Sequence, residues 1–170
     1  MRASPPVFGV IGWKNSGKTL LVARLVAEFT ARGLKVAAVK HAHHSFDIDH
    51  EGRDSWRLRE AGAREVAVVS PVRWALMTEL GGEREPTLAE VLPRLSGSDI
   101  VIVEGFKTSD HPKIEVRRLA APQREPMRER YPGVRAVAAD HLVADPLPRF
   151  DLNDVAGIAA FISSELGLKT

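Results

Sequence analysis

The sequence predicts an α/β layered domain with a mostly parallel sheet flanked by helices. Apolar runs typical of buried strands alternate with amphipathic helix patterns along the 170 residues, which is the order that parallel sheets require. Within the predicted strand 99–104, DIVIVE, residues 100–103 are all apolar, as in strands that are buried on both faces. Since domains hold roughly 100–200 residues, we expect a single domain over residues 1–170.

The first two elements have the clearest patterns. Residues 7–11 form a short apolar run that predicts a buried strand. Residues 19–32 carry apolar side chains at three- and four-residue spacing, which predicts an amphipathic helix that ends at Gly33. The later patterns predict strands at 36–39, 65–69, 73–78, 99–104, 114–116 and 134–138, and helices at 55–61, 87–95 and 154–166.

The segment between the last two predicted strands has a different composition. It reads LAAPQREPMRERYPG, and its prolines and alternating charges predict a solvated loop. We therefore expect a β and loop excursion over about residues 112–140 within the domain.

Composition excludes several functional classes. The chain has no cysteine, which rules out disulfides, cysteine-ligated zinc, iron–sulfur clusters and thiol catalysis. Its 24 Lys and Arg exceed its 22 Asp and Glu by only two, too few for the phosphate neutralisation of a dedicated nucleic-acid binder. No apolar stretch approaches the ~18–20 residues of a membrane span, and the N-terminus lacks a cleavable signal. We expect a cytoplasmic protein with no nucleic-acid or membrane partner.

A phosphate-binding motif follows the first predicted strand. The complete pattern G-x-x-x-x-G-K-[ST] is formed by Gly12, Trp13, Lys14, Asn15, Ser16, Gly17, Lys18 and Thr19. Its glycines let backbone N–H groups turn toward phosphate oxygens, Lys18 adds a positive charge, and the Thr19 hydroxyl is a ligand for Mg²⁺. The helix that follows points its positive end at the same anion. The motif therefore predicts a nucleotide phosphate site.

A metal site beside these phosphates also needs a carboxylate. Asp99 and Glu104 stand at opposite ends of the predicted strand DIVIVE, about 16 Å apart at ~3.3 Å per residue. Ligands of open α/β sheets bind at the carboxyl ends of the strands. The sequence therefore predicts Glu104 as the second Mg²⁺ residue.

The stretch KHAHHSFDIDHEGRD leaves several interpretations open. Its imidazoles, His41, His43, His44 and His50, are suited to a transition metal. Alternatively, it is a substrate or switch loop in which Asp49 or Asp54 reaches Mg²⁺ directly or through water. A polar exposed loop is the third interpretation.

Two further groups of residues have open interpretations. In RWALMTE, Arg73 and Trp74 belong either to an ordinary core strand or to a ligand-facing one. Lys107 and His111 follow Glu104 closely. They either contact an anionic ligand or are ordinary surface residues.

These motifs together resemble the MobB family of molybdopterin-guanine dinucleotide biosynthesis adapter proteins. The resemblance rests on GWKNSGKT, VKHAHHSFDID, RWALMTE, IVIVEGFK, KIEVRR and DLNDVAGIAAFI, and it spans about residues 7–165. It implies a P-loop NTPase domain with an extra β extension that is used in homodimers.

The resemblance also implies a function. A family member binds GTP with Mg²⁺, hydrolyses it weakly at most, and assists the guanylyltransferase that attaches GMP to molybdopterin. Residues 12–19 would hold the phosphates, and Thr19 and Glu104 would lie near Mg²⁺. The histidine-rich loop and residues 73–79 would face a ligand or partner.

Two other functions use the same motifs. A small-molecule kinase would use Asp47, Asp49 or Asp54 as the base for an acceptor hydroxyl. A metal-delivery GTPase would use the histidine-rich loop as donor or sensor, although the lack of cysteine argues against a soft-metal site.

The sequence has no strong signal for the base or for hydrolysis. No N-K-x-D or T-K-x-D motif is present, and only Asp140, after a predicted strand, offers a base-contacting carboxylate. Guanine preference is therefore implied by the resemblance alone. No arginine finger or water-positioning glutamine is evident, and a missing finger costs about 10³–10⁵ in rate. We expect slow hydrolysis and assign no catalytic residue.

Overall fold

Helices pack on a parallel sheet in the structure, a computed structural model that describes residues 4–42 and 46–168. In these residues the strands are β1 (Val7–Gly12), β2 (Val36–Lys40), β3 (Glu65–Val69), β4 (Trp74–Thr78), β5 (Ile100–Glu104), β6 (Lys113–Arg117), β7 (Val134–Ala139) and β8 (Arg149–Asp151). The helices are α1 (Lys18–Ala31), α2 (Asp54–Glu60), α3 (Leu88–Val91) and α4 (Val155–Leu166), with a 3-10 helix at Leu92–Leu95. No helix within the described ranges is long and apolar enough to cross a membrane.

The main sheet has the strand order β2-β5-β1-β6-β7-β8, and all of its pairings are parallel. β1 lies between β5 and β6, with Val10 paired to Glu104 and Gly12 paired to Val116. Because parallel strands end at the same edge, the loop after β1 leaves the sheet beside the ends of both neighbours. The predicted α/β class, with a mostly parallel sheet and flanking helices, is confirmed.

Helices α1 and α4 cover one face of this sheet. Leu25 of α1 and Ile162 of α4 are fully buried in the main hydrophobic core. The same core contains Val10, Ile102 and Ile114, which share a face because side chains alternate along a strand. The regularly spaced apolar residues that predicted both helices are therefore the residues that the helices bury in the core.

The opposite face of the sheet buries charged side chains of β6. Arg117 donates two hydrogen bonds to the Glu115 carboxylate, at 2.8 and 2.9 Å, and one to Asp145 at 2.8 Å. The backbone N–H of Met127 donates to Glu115 Oε2 at 3.1 Å. Glu115 and Arg117 are almost completely buried. Burial of these charges is tolerated because each carboxylate faces the guanidinium and further donors.

The β and loop excursion expected over about 112–140 stays a prediction, but the structure shows which of its parts belong to the main sheet. β6 and β7 are paired members of the main sheet, and Met127 between them is fully buried. The chain forms one compact unit of Met1–His41 and Leu88–Thr170 and another of Ala42–Thr87. The second unit holds α2 and the antiparallel pair β3–β4. The single domain over residues 1–170 stays a prediction.

Two other elements differ from the prediction. The helix expected over 87–95 is interrupted, since α3 ends at Val91 and a 3-10 helix continues to Leu95. Pro93 causes this change because it lacks the N–H that an α-helix interior uses. Strand β8 was not predicted. It has only three residues, too few to show a hydrophobic period, and Pro148 precedes it.

Replacing the buried guanidinium tests the charged network. We expect Arg117→Met to lower the free energy of unfolding by about 3–5 kcal/mol, because two buried carboxylates lose their cation. The measurement is urea unfolding followed by circular dichroism. Arg135→Met on the neighbouring strand is the control, since the Arg135 side chain is 58% exposed and such changes stay within about 0.5 kcal/mol. Equal effects of the two variants would contradict this account.

Candidate functional site

The phosphate-binding motif forms a tight loop between β1 and α1. Gly12 ends β1, and a Cβ there would collide with Ser16 Oγ and lie 2.7 Å from the Val116 carbonyl oxygen. Gly17, just before α1, has φ +91°, a left-handed conformation that glycine adopts without strain. Asn15 is also left-handed, with φ 62°. The two glycines of the motif are therefore required by the shape of the loop.

Lys18 lies across this loop. Its Nζ donates to the Trp13 carbonyl oxygen at 2.7 Å, so the side chain folds back over the motif. Burial lowers the pKa of Lys18, and the nearby Glu104 carboxylate opposes that shift. A cleft of about 350 Å³ beside the lysine is lined by Asn15, Gly17, Lys18, Thr19, Leu20 and Arg118. The loop thus presents a cation and a helix N-terminus to an open cleft.

Thr19 and Glu104 meet at the base of the loop. Thr19 Oγ1 donates to Glu104 Oε1 at 3.0 Å. Neighbouring ligands on an octahedral Mg²⁺ with bond lengths of about 2.1 Å are also about 3.0 Å apart. The hydroxyl and carboxylate oxygens therefore fit a magnesium ion in both spacing and chemistry.

Lys40 lies beside this pair and is absent from the predicted site residues. Its Nζ is 3.4 Å from Glu104 Oε1 and 3.5 Å from Thr19 Oγ1. Lys40 ends β2 and is paired with Glu104 across the sheet. Its place just after a predicted strand could have indicated a residue at the ligand-binding edge of the sheet. Its proximity to Glu104, however, depends on β2 lying next to β5, and local sequence patterns do not show that order.

Lys107 lies beside the phosphate loop, between two aromatic rings. Its Nζ is 5.3 Å from the centre of the Trp13 ring and 5.7 Å from that of Tyr131. Burial and the nearby Arg130 lower the pKa of Lys107. The Trp13 indole also donates to the Glu125 carbonyl oxygen at 2.9 Å. The phosphate loop therefore contacts the proline-rich segment, residues 119–133, which the sequence predicts to be a solvated loop.

His41 and His111 both pack against other parts of the protein. The His41 ring stacks on Phe106 with 4.6 Å between centres, and its backbone N–H donates to the Glu104 carbonyl oxygen at 2.8 Å. His111 packs so closely on Gly9 that a Cβ there would lie 2.5 Å from its Nε2. Burial, assisted by Lys113, lowers the pKa of His111 to about 4. The neutral His111 ring is therefore a packing group.

The remaining predicted carboxylates belong to the Ala42–Thr87 unit. Asp49 accepts hydrogen bonds from Ser55 Oγ at 2.9 Å and from Arg59 at 3.4 Å. Arg59 also contacts Asp47 at 2.9 Å. Asp54 is the first residue of α2. A role for Asp49 or Asp54 at Mg²⁺ stays a prediction.

The other residues predicted to meet a ligand or partner are Arg73, Trp74, His43 and His44. Arg73 precedes β4, and Trp74 begins it. His43 and His44 lie outside the described residues. Elsewhere, in the ranges 4–42 and 46–168, no group of three or more His, Asp or Glu side chains could hold a metal ion.

A family model described as molybdopterin guanine dinucleotide synthesis protein B, or MobB, matches residues 7–140. The chain belongs to the MobB family. The match includes the phosphate loop, Lys40, Glu104 and Arg118, and so every residue that lines the cleft.

Relatives of the MobB chain cover nearly its whole length. It is 37% identical over 164 residues to the molybdopterin-guanine dinucleotide biosynthesis adapter protein of Haemophilus influenzae, covering 95% of this chain and 89% of that protein. The corresponding protein of Escherichia coli is 39% identical over 161 residues, covering 92% and 91%. A crystal structure of molybdopterin-guanine biosynthesis protein B superposes with a TM-score of 0.74 at 31% identity, covering 94% of this chain and 99% of that one.

These findings give this MobB chain an adapter role in molybdopterin guanine dinucleotide biosynthesis, and hence in molybdenum cofactor biosynthesis. Its P-loop fold is likewise that of the MobB structures.

A polyphosphate without a nucleobase tests the phosphate loop by itself. We expect Lys18→Ala to weaken inorganic tripolyphosphate binding by about 100-fold or more, because charge-assisted hydrogen bonds to the anion are lost. Isothermal titration calorimetry measures the affinity, and thermal unfolding checks that the variant folds. Lys14→Ala is the matched control, since this exposed lysine of the same loop should change affinity only a few-fold. Unchanged binding in folded Lys18→Ala would place the anion elsewhere.

Proposed function

We propose that this MobB protein binds GTP with Mg²⁺ at residues 12–19 and, in doing so, assists a guanylyltransferase that attaches GMP to molybdopterin. The observation that carries the proposal is the contact of Thr19 Oγ1 with Glu104 Oε1, at 3.0 Å, at the base of the phosphate loop. A phosphate loop and an adjacent hydroxyl–carboxylate pair are the parts that a magnesium nucleotide requires.

The triphosphate would be held by the loop and by the first turn of α1. The first backbone N–H groups of a helix have no partner within it, which favours an anion at the start of α1. Lys18 would exchange the Trp13 carbonyl oxygen, now 2.7 Å away, for phosphate oxygens. Half-buried surroundings strengthen that contact because water screens it less.

The metal would be held by Thr19 and Glu104. Both supply the oxygen ligands that Mg²⁺ prefers, with the remaining positions left to phosphate and water. When bound, the ion supplies neutralisation of the phosphate charge. Glu104 fixes the Thr19 hydroxyl through their hydrogen bond, so the chain presents both oxygens already oriented.

Slow hydrolysis is part of the proposal. The only glutamine in the chain is Gln123, which is exposed in the proline-rich segment. Arg118 lines the cleft, but its Nε lies 3.5 Å from Asp140 Oδ2. Fast hydrolysis needs a side chain that orients the attacking water and an arginine that stabilises the transition-state charge. Lack of that arginine lowers turnover by about 10³–10⁵. These positions support a nucleotide-binding adapter with at most weak GTPase activity.

Asp140 supports a preference for guanine. It follows β7 at the same edge of the sheet, and its Oδ2 is near Arg118, which lines the cleft. A carboxylate accepts hydrogen bonds from the N1 and N2 donors of guanine, whereas adenine offers no such pair. Asp140 now accepts from the Leu119 N–H at 2.8 Å and faces His141 at 2.9 Å. The base would therefore compete with these local contacts.

A second copy of this chain is the proposed partner of the β3–β4 hairpin. Val69 and Trp74 are paired across its strands and are 76% and 68% exposed. Leu76, opposite Ala67 on the same face, is also exposed. A two-stranded hairpin is marginal alone, and an exposed apolar face of this kind is typical of an interaction surface. The self-complementary edges of two such hairpins favour a homodimer.

Calorimetric titration with GTP and ATP, each with and without Mg²⁺, tests the nucleotide site. We expect GTP to bind more tightly than ATP and to depend on Mg²⁺. Glu104→Gln should reduce the ratio of the metal-free Kd to the Mg²⁺ Kd by about tenfold, because a neutral amide is a poorer magnesium ligand.

Asp99→Asn is the matched control, since Asp99 precedes the opposite end of β5 and accepts from Lys35 N at 2.7 Å. Equal affinity for ATP and GTP would contradict guanine preference. If Glu104→Gln retained the wild-type Mg²⁺ ratio, another residue would hold the metal.

The dimer has its own test. We expect the wild-type chain to be a dimer in sedimentation equilibrium and Trp74→Glu to be monomeric, because a charge would be buried in an apolar contact. Leu142→Glu is the control, as Leu142 is fully exposed in the other unit. A wild-type monomer, or a Trp74→Glu variant that dimerises as tightly as wild type, would contradict the proposed surface.

A further inference from the structure

The two proposed magnesium ligands already have a cation beside them. Lys40 Nζ is 3.4 Å from Glu104 Oε1 and 3.5 Å from Thr19 Oγ1, and these two oxygens are 3.0 Å apart. Glu104 Oε1 is thus shared between the ammonium group and the hydroxyl. Electrostatically, a lysine of the chain fills the role that a magnesium ion would take.

We propose that Lys40 is the internal counter-ion of Glu104 in the metal-free protein, that Mg²⁺ displaces it from this carboxylate, and that Lys40 thereby sets the Mg²⁺ dependence of nucleotide binding. This inference rests on the proposed nucleotide site. It concerns a residue that the phosphate-loop motif does not contain.

The sheet fixes Lys40 in this position. β2 and β5 are parallel neighbours, and Lys40 is paired with Glu104 at the end of both strands. The following residue, His41, donates its backbone N–H to the Glu104 carbonyl oxygen at 2.8 Å. Paired residues project to the same side of a sheet, so the lysine and the carboxylate are held together by the backbone register.

The exposure of Lys40 makes it displaceable. Its side chain is 60% exposed, whereas that of Glu104 is 11% exposed. The ammonium can return to water with little loss, because exposed ion pairs are weak. Arg117 differs in this respect, since its side chain is 5% exposed and its partner Glu115 is fully buried. That pair is structural, whereas the Lys40–Glu104 pair is open to exchange.

Exchange of one cation for another has opposite consequences with and without metal. Without metal, Lys40 neutralises Glu104 and removes the repulsion that this carboxylate would exert on a phosphate. With metal, the ammonium competes for the same oxygen and repels the divalent ion. Loss of Lys40 should therefore weaken metal-free nucleotide binding and favour the magnesium-bound form.

The test compares GDP and GTP binding in EDTA and in Mg²⁺ by calorimetry. The ratio of the metal-free Kd to the Mg²⁺ Kd should rise about tenfold in Lys40→Met, the size expected for the loss of one charge-assisted contact. Lys35→Met is the matched control, because Lys35 is an exposed lysine just before the opposite end of β2. Its ratio should equal that of wild type.

A double variant tests whether Lys40 acts through Glu104. In Glu104→Gln the carboxylate charge is already absent, so adding Lys40→Met should raise the ratio much less than tenfold, leaving only the direct repulsion between the ammonium and the metal. A full tenfold rise in the double variant would mean that Lys40 acts on the phosphates directly, and it would overturn the counter-ion role.

Direct metal binding separates this inference from the proposed function. Mn²⁺ binding to the nucleotide-free protein, measured by electron paramagnetic resonance, should be tighter in Lys40→Met than in wild type or Lys35→Met. A wild-type protein that binds no nucleotide would overturn the proposed function, while the Mn²⁺ comparison would still test the lysine. Equal Mn²⁺ affinities in Lys40→Met and wild type would overturn the inference.

Discussion

The parallel register of β1 and β5 is the constraint on which the site depends. Val10 is paired with Glu104, two residues before β1 ends at Gly12, where the phosphate loop begins. Thr19 in the first turn of α1 can then donate to Glu104 at 3.0 Å, which joins the helix, the loop and both strands. A slip of one residue would turn the Glu104 side chain to the other face of the sheet. The loop would keep its shape but lose its carboxylate.

The buried charges on the far side of the sheet also contact the proline-rich segment, residues 119–133. Glu115 and Arg117 are buried there in contact with each other, and they also contact the Met127 N–H and Asp145 respectively. These contacts fix the segment over β6, and Trp13 of the phosphate loop then donates to a carbonyl oxygen within it. Met127 of this segment is fully buried, whereas its charged residues, Arg124, Glu125, Arg128, Glu129 and Arg130, are exposed. The segment is therefore anchored by buried side chains and solvated at its charged positions.

Local patterns predicted much of this molecule, and long-range pairing explains most of what they missed. The phosphate motif, α1 and the buried strand β5 each have a signal within a few neighbouring residues, and Glu104 followed from the rule that ligands bind at strand carboxyl ends. Lys40 had no such signal, because its contact with Glu104 depends on β2 lying next to β5. β6 was predicted too short because its buried charged residues at 113 and 117 resemble loop residues. Burial of those charges depends on partners far along the chain.

The cations around the cleft are engaged with the protein itself, and this suits an adapter better than a fast enzyme. Lys18 donates to a loop carbonyl, Lys40 faces Glu104, Lys107 lies between aromatic rings, and Arg118 is near Asp140. Fast phosphoryl transfer needs charges that are preorganised for the transition state. A nucleotide bound at the proposed site would first have to exchange these internal contacts for its own, so part of its binding free energy would be used to change the protein. A ligand alters a conformational equilibrium only through such differential contacts. The arrangement therefore favours a surface that changes on nucleotide binding over rapid turnover.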